Sequence, residues 1–150
     1  MNTDRPIKEI MTTKLVTVQP DTSVKEVNKI FAKNTFHHLP VVDSAGVLAG
    51  IISKEDLLKL SYVLSKNTAG KIYSEKQYSS LTAKDVMTKF PVSLDPDDTI
   101  GLAADIFLAN RFHALPILDD DILIGLVTTH DLLRYSFNIH TSSEGFELFQ

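Results

Sequence analysis

One internal repeat constrains this chain more than any other feature. Ile7–Leu60 lies over Ala83–Tyr135. Met11-Thr12 meets Met87-Thr88, Pro20-Asp21 meets Pro96-Asp97, and Ile30-Phe31 meets Ile106-Phe107, each 76 positions on. Phe36-His37 meets Phe112-His113 and Leu39-Pro40 meets Leu115-Pro116 in the same register. One residue drops out after Asp43/Asp119, and from there Gly50 meets Gly125, Asp56 meets Asp131, and Leu57-Leu58 meets Leu132-Leu133. A single gap placed in a turn is the mark of a duplication. A repeat of roughly fifty residues buries too little apolar surface to be comfortably stable alone, so the two copies are expected to support one another.

The copies, 7–60 and 83–135, leave a connecting segment at 61–82 and a tail at 136–150. The connection first continues the preceding helix and then breaks at Thr68-Ala69-Gly70. In the tail Phe146, Leu148 and Phe149 alternate. That pattern reads as a frayed terminus or, alternatively, as an extra strand or a dimer contact.

Within copy one, Leu15–Val18 is short, β-branched and stopped by Pro20, which predicts a strand. Ser23 with Glu26 makes a capping-box pattern ahead of Val24, Val27, Ile30 and Phe31 at helical spacing. Leu39–Val42 and Val47–Ile52 flank Asp43-Ser44-Ala45-Gly46 as the strands of a hairpin. Ser53 then opens a second helix. Copy two repeats the order, with Asp98 or Thr99 as first cap, Asp119-Asp120-Asp121 as a shorter turn and Thr128 opening the last helix. The expected fold is therefore α/β of the α+β kind: two β-α-β-β-α repeats packed sheet to sheet around a pseudo-two-fold axis. Phe36 and Phe112 follow the first helix stripe and are read as core.

Composition removes several functions. With no cysteine there is no disulfide, thiolate nucleophile or Cys-based zinc site. A net charge of −4 with scattered Lys and Arg supplies no basic patch for nucleic acid. No apolar run approaches the roughly 20 residues of a membrane helix, and the polar Met1–Arg5 start is not a signal peptide. The reading is a cytoplasmic protein with no membrane insertion. Neighbouring His37 and His38 point to opposite faces of an extended segment and do not chelate one ion, so no metal site is expected. His140 carries no signal. The acid run at Asp119–Asp121 is too short to wrap a cation and reads as a solvated turn.

The chemistry concentrates in Gly50-Ile51-Ile52-Ser53-Lys54-Glu55-Asp56 and in Gly125-Leu126-Val127-Thr128-Thr129-His130-Asp131. One reading is helix capping, with a hydroxyl at the N-cap and an acid at N3. The other is ligand binding. A carboxylate accepts ribose hydroxyls, while a hydroxyl and the N–H groups of a helix start suit phosphate oxygens. Gly50 and Gly125 would let a ligand or a backbone come close.

Taken in order, Met-Thr, a strand ending near Pro, His-x-Leu-Pro-Val/Ile and Gly-h-h-Ser/Thr-x-x-Asp-Leu-Leu, all present twice, resemble the CBS domain, and the pair resembles a Bateman module. The resemblance implies two clefts that take AMP, ADP, ATP or S-adenosylmethionine, none of them required as a cofactor. It implies that one cleft uses Thr128 and Asp131 for the ribose, His113 and His130 near the phosphates, and Thr12, Val16 and Ala49 beside the adenine. The other would use Ser53, Asp56, His37 and His38 with Thr88, Val92 and Ile124. Departures from the family pattern fall unevenly: His38 against Ala114 before Leu-Pro, and Glu55 against His130 before the acid. This favours the Asp131 cleft. Arg111 is the one arginine the sequence suggests near either.

Three functions are in contention. The first is a regulatory module that senses an adenosyl ligand and signals to an effector protein, as a homodimer. The second is a dimerisation or scaffold module whose clefts no longer work. An enzyme is disfavoured, because there is no activated nucleophile, paired-carboxylate site or phosphate loop.

Overall fold

The computed structural model describes residues 2–67, 79–110 and 112–137, with 64–67 described by backbone alone. The Thr68-Ala69-Gly70 break, Arg111, His140 and the alternating Phe146, Leu148 and Phe149 lie outside the described residues. Two compact units form, and their boundaries are not those of the repeats. Among the described residues, one unit takes in 2–15, 45–48 and 91–137, and the other 16–44, 49–67 and 79–90. We call them the Asp131 unit and the Asp56 unit. The segment that opens each sequence repeat is built into the unit that carries the other repeat's hairpin.

The Asp56 unit contains α1 (Val24–Lys33), β1 (His38–Val42), β2 (Leu48–Ser53, from Ala49 onward), α2 (Lys54–Asn67), a one-turn α3 (Ala83–Val86) and a two-residue β3 (Thr88–Lys89). Its sheet runs β1-β2-β3, and β3 pairs antiparallel to β2 with Ile51 opposite Thr88. The Asp131 unit contains a 3-10 turn (Ile7–Glu9), α4 (Ile100–Ala109), the antiparallel pair β4 (Ala114–Asp119) and β5 (Ile122–Thr128), and α5 (Thr129–Ser136).

Each helix begins where its sequence supplies a cap. Ser23 accepts from the Glu26 N–H at 3.1 Å to start α1, and Thr99, not Asp98, accepts from the Leu102 N–H at 3.1 Å to start α4. Asp98 is turned back to accept from the Asp95 N–H at 2.8 Å. The strand expected at Leu15–Val18 shrinks to one parallel bridge, Val18 with Val41, matched in the other unit by Leu94 with Ile117. The reason is local. The partner strand carries Pro40 in one case and Pro116 in the other, each offering a carbonyl but no N–H, so the ladder stops after two bonds. The turn after β4 is two residues, not three, since Asp119 still pairs with Ile122. Asp120 and Asp121 both take positive φ, 47° and 67°, the primed turn that suits a right-twisted hairpin.

The exchange of segments is fixed by backbone bonds that repeat in register. In the Asp131 unit Ile100 N–H donates to Arg5 O at 2.9 Å, Ile7 N–H to Asp98 O at 2.7 Å and Lys8 N–H to Pro96 O at 3.1 Å. In the Asp56 unit Val24 N–H donates to Leu81 O at 3.0 Å, Ala83 N–H to Thr22 O at 2.7 Å and Lys84 N–H to Pro20 O at 3.0 Å. Each incoming segment thus satisfies the first helix's open N–H and anchors a fully buried residue, Ile7 or Ala83. Ile7 joins Leu94, Ile100, Ala103, Phe107, Leu115, Ile117 and Val127 in one core. Ala83 joins Val18, Val24, Val27, Phe31, Leu39, Val41, Ile52 and Leu57 in the other. Phe36 meets Phe31 edge to face at 6.0 Å, and Phe112 packs on the Asp131-unit core, as the repeat implies.

Candidate functional site

The segment exchange decides which residues meet. Thr12 pairs with Leu126 by two backbone bonds, 2.8 and 2.9 Å, so the Met11-Thr12 motif of copy one lies along β5 of copy two. Thr88 lies along β2 in the matching way. The glycines are small for this reason. A Cβ on Gly125 would run into the Met11 thioether and come within 2.9 Å of its Cγ. A Cβ on Gly50 would come within 2.6 Å of Met87 Sδ and 2.7 Å of the Thr88 carbonyl oxygen. Gly50 and Gly125 therefore admit the methionine of the exchanged segment, the close approach that the sequence left open between ligand and backbone.

In the Asp131 unit the strand-to-helix junction is a complete capping box. Thr128 has extended backbone at φ −119° and ψ 165°. Its Oγ1 accepts from the Asp131 N–H at 3.2 Å, and its own N–H donates to Asp131 Oδ2 at 2.8 Å. The Thr128 hydroxyl also lies 3.1 Å from Oδ2. The other carboxylate oxygen, Oδ1, looks elsewhere: Thr12 Oγ1 is 3.4 Å away and Arg134 Nη1 is 3.9 Å away. Asp131 is only 6% exposed. Burial pushes its carboxyl above the ordinary range, against the pull of the Thr128 bonds, the Arg134 charge and the Thr12 hydroxyl.

The Asp56 unit repeats the junction but not the environment. Ser53 Oγ accepts from the Asp56 N–H at 3.0 Å, while Asp56 itself is exposed. In both units a histidine carbonyl takes the first helical N–H: Lys54 N–H donates to His37 O at 2.8 Å, and Thr129 N–H to His113 O at 3.1 Å. The helix starts are thus less open to a phosphate than the sequence suggests. The N–H groups of Lys54, Asp56, Thr129 and Asp131 all have partners already. The side chains of His37, His113 and His130 are exposed and that of His38 is half-buried.

The expected site residues divide between the units. Thr12, Val92, His113, Ile124, Thr128, His130 and Asp131 are in one, and Val16, His37, His38, Ala49, Ser53, Asp56 and Thr88 in the other. Asp131 touches both Thr12 and Thr128. Val16 and Ala49, expected beside Asp131, belong to the other unit, as do Val92 and Ile124 with respect to Asp56. Ile124 sits at an irregularity of the β4–β5 ladder. Ile117 faces Gly125 and Leu118 faces Leu123, which leaves Ile124 as the extra residue of a bulge. Arg134 was not anticipated. Its position three residues after Asp131 on one helix face is the signal that would have found it. Among the described residues no group of three His, Asp or Glu is placed to hold a metal ion, and no helix is long and apolar enough to cross a membrane.

Comparison with known proteins gives one consistent result. The family model of the CBS domain matches residues 7–62 and 83–138. The uncharacterized protein MJ1426 of Methanocaldococcus jannaschii is 35% identical, over 85% of this chain and 89% of its own length. Among solved structures, CBSX2 of Arabidopsis thaliana in complex with AMP superposes with a TM-score of 0.76 at 28% identity, over 91% of this chain and 99% of the other. The CBS domain pair of protein MJ0100, in complex with 5'-methylthioadenosine and S-adenosyl-L-methionine, superposes with a TM-score of 0.71 at 26% identity, over 89% and 96%.

Proposed function

Because this chain belongs to the CBS-domain family, we propose that it is a non-catalytic regulatory module that binds an adenosine-type ligand and signals its presence to an effector protein. The observation that carries the reading is the division of labour on Asp131. Its Oδ2 is held by the helix cap, while Oδ1 faces Thr12, a residue delivered by the other sequence repeat. Capping and binding are therefore not rivals. The cap fixes the carboxylate, and the fixed carboxylate offers its second oxygen to a ribose hydroxyl. The ligands bound by CBSX2 and MJ0100 share one chemistry, an adenosine bearing a 5' substituent, and supply the ligand class. AMP, ADP, ATP and S-adenosylmethionine are the ligands to try. On this reading Thr12, Thr128, Asp131, His113 and His130 bind in one unit, and Ser53, Asp56, Thr88, His37 and His38 in the other. The assignment of Val16, Ala49, Val92 and Ile124 rests on the family resemblance alone.

A ligand can shift such a module only by binding one of its states better than another. Because Thr12 and Asp131 come from different repeats, a ligand touching both favours the state in which the N-terminal segment is seated. We assign the protein to the cytoplasm, in keeping with its lack of cysteine.

A homodimer is part of the proposal, supported by matching stripes on the second helices. Leu58 and Tyr62 on α2 are 62% and 60% exposed, and Leu133 and Phe137 at and just past α5 are 57% and 70% exposed. Each pair is spaced i, i+4, the separation that makes one apolar stripe on a helix. The deciding experiment for ligand binding is a melt in the presence of AMP, 5'-methylthioadenosine and S-adenosylmethionine. A ligand at about a hundred times its Kd adds about 2.7 kcal/mol, a rise of roughly 5–10 °C for a chain of this size. No movement with any adenosyl compound would leave the dimerisation scaffold as the better reading.

A further inference from the structure

The two acids at the strand-to-helix junctions have different electrostatic company. Three residues after Asp131, Arg134 points its guanidinium back along α5, with Nη1 3.9 Å from Oδ1 and the side chain only 25% exposed. The residue in the matching place of copy one is Lys59. It is 70% exposed and is directed to Glu55 at 3.7 Å rather than to Asp56. Among the described residues the charge that acts on Asp131 is that of Arg134, while the end of β5 supplies Thr128 and the N-terminal segment supplies Thr12. A buried carboxylate flanked by two hydroxyls and one half-covered cation is a placed acceptor, whereas an exposed one is not.

We propose that Arg134 is the positioning residue of the Asp131 site, holding Oδ1 as an aimed, charged acceptor toward Thr12, and that the lack of this partner at Asp56 makes the two units unequal in ligand affinity. The affinity half of this inference rests on the functional reading above, and the charge half does not. Without Arg134 the carboxylate keeps its cap on Oδ2 but loses the cation that offsets its burial. It then takes a proton more readily, and a protonated Oδ1 is a poorer acceptor for ligand hydroxyls. An Arg134 that merely packs would affect melting and leave the Asp131 proton alone.

The test titrates the ¹³C-labelled Asp131 carboxyl by NMR in the ligand-free protein, in wild type, Arg134→Gln, Arg134→Lys and the control Lys59→Gln. The midpoint should move up in Arg134→Gln, return most of the way in Arg134→Lys and stay put in Lys59→Gln. Calorimetry with AMP at about pH 6 and about pH 8 should then give Arg134→Gln roughly a three- to ten-fold loss of affinity, the scale of one weakened charge-assisted hydrogen bond. That loss should be larger at the lower pH. Should Arg134→Gln fail to fold, Arg134→Met supplies a second neutral side chain of similar length, and its Asp131 midpoint should move up in the same way. An unchanged Asp131 midpoint in the neutral variants overturns the proposal. A moved midpoint with no AMP binding in any protein upholds the charge role and instead removes the functional reading.

Discussion

Thr12 and Asp131 lie 119 residues apart in the chain and 3.4 Å apart in the fold, hydroxyl to carboxylate. Their meeting depends on the N-terminal segment crossing to the second repeat, where Met11 lies over Gly125 and Thr12 bonds to Leu126. Most of what can be tested in this protein follows from that crossing.

The two glycines under the methionines should be unequal to substitution. Gly125→Ala forces its Cβ first on the Met11 side chain, which can swing. Gly50→Ala strikes Met87 and also the Thr88 carbonyl, part of the β3 ladder. Overpacking costs about 1–3 kcal/mol, and Gly50→Ala should fall at the upper end and Gly125→Ala at the lower. Urea unfolding measures both. In the double variant Met11→Ala with Gly125→Ala, the clash should be largely relieved, seen as a non-additive coupling between the two sites. Simple additivity would mean the two residues do not touch.

Asp85 and Asp131 should respond to pH in opposite directions although both close capping boxes. Asp85 accepts from the Thr82 N–H and hydroxyl at 2.8 and 2.9 Å in the open, and these bonds hold its carboxyl below the ordinary range. Asp131 accepts equivalent bonds, yet burial outweighs them and raises it. In the folded state Asp131 keeps its proton to higher pH than in the unfolded chain. Its contribution is therefore full below the unfolded value near 3.8 and is lost as pH rises through the raised folded value. Asp85 contributes above the same unfolded value and loses that contribution as pH falls through its lowered folded value. Between acid and neutral pH, Asp131→Asn should thus gain stability relative to wild type as pH rises, and Asp85→Asn should lose it. Denaturant midpoints across that range give both slopes, and slopes of the same sign would refute the burial argument.

Phe90 is 93% exposed and holds φ at +51°, a conformation that suits glycine and strains a bulky residue. Left-handed backbone costs about 1–2 kcal/mol for an L-residue, and glycine returns about 0.5–1 kcal/mol of that in unfolded-chain entropy. Phe90→Gly should therefore stabilise the fold by up to about 1 kcal/mol, whereas Phe90→Ala, which keeps the Cβ, should not. Equilibrium unfolding of the two variants distinguishes strain from a contact that holds the ring: a contact would make both destabilising.

Much of this structure was legible in the residues, and the illegible part has a common cause. Ser23, Thr99, Ser53 and Thr128 start helices because a hydroxyl before an apolar stripe is a local signal, read without knowing the fold. The hairpins around Gly46 and Asp120-Asp121 are local in the same sense. Thr128 and Asp131 stand out for their chemistry. The crossing of Met11-Thr12 and Met87-Thr88 is not local: in a true repeat, either copy offers the same glycine and the same strand, so the pattern cannot say which one is used. The unequal burial of Asp56 and Asp131 is likewise invisible in two near-identical motifs, since it depends on what packs over them. The first strand of each copy reads longer in the sequence than it is, because β-branched residues suggest a ladder, while Pro40 and Pro116 in the partner strand remove the donors a longer ladder needs.

The most direct test of the account is calorimetric titration of AMP into wild type, Asp131→Ala and Asp56→Ala. Binding to wild type is expected, with Asp131→Ala losing about ten-fold or more in affinity, the scale of a charged acceptor removed from a half-dry site, and Asp56→Ala losing less. AMP binding that is equally strong in Asp131→Ala and in wild type would contradict the claim that the buried carboxylate beside Thr12 is where the ligand is held.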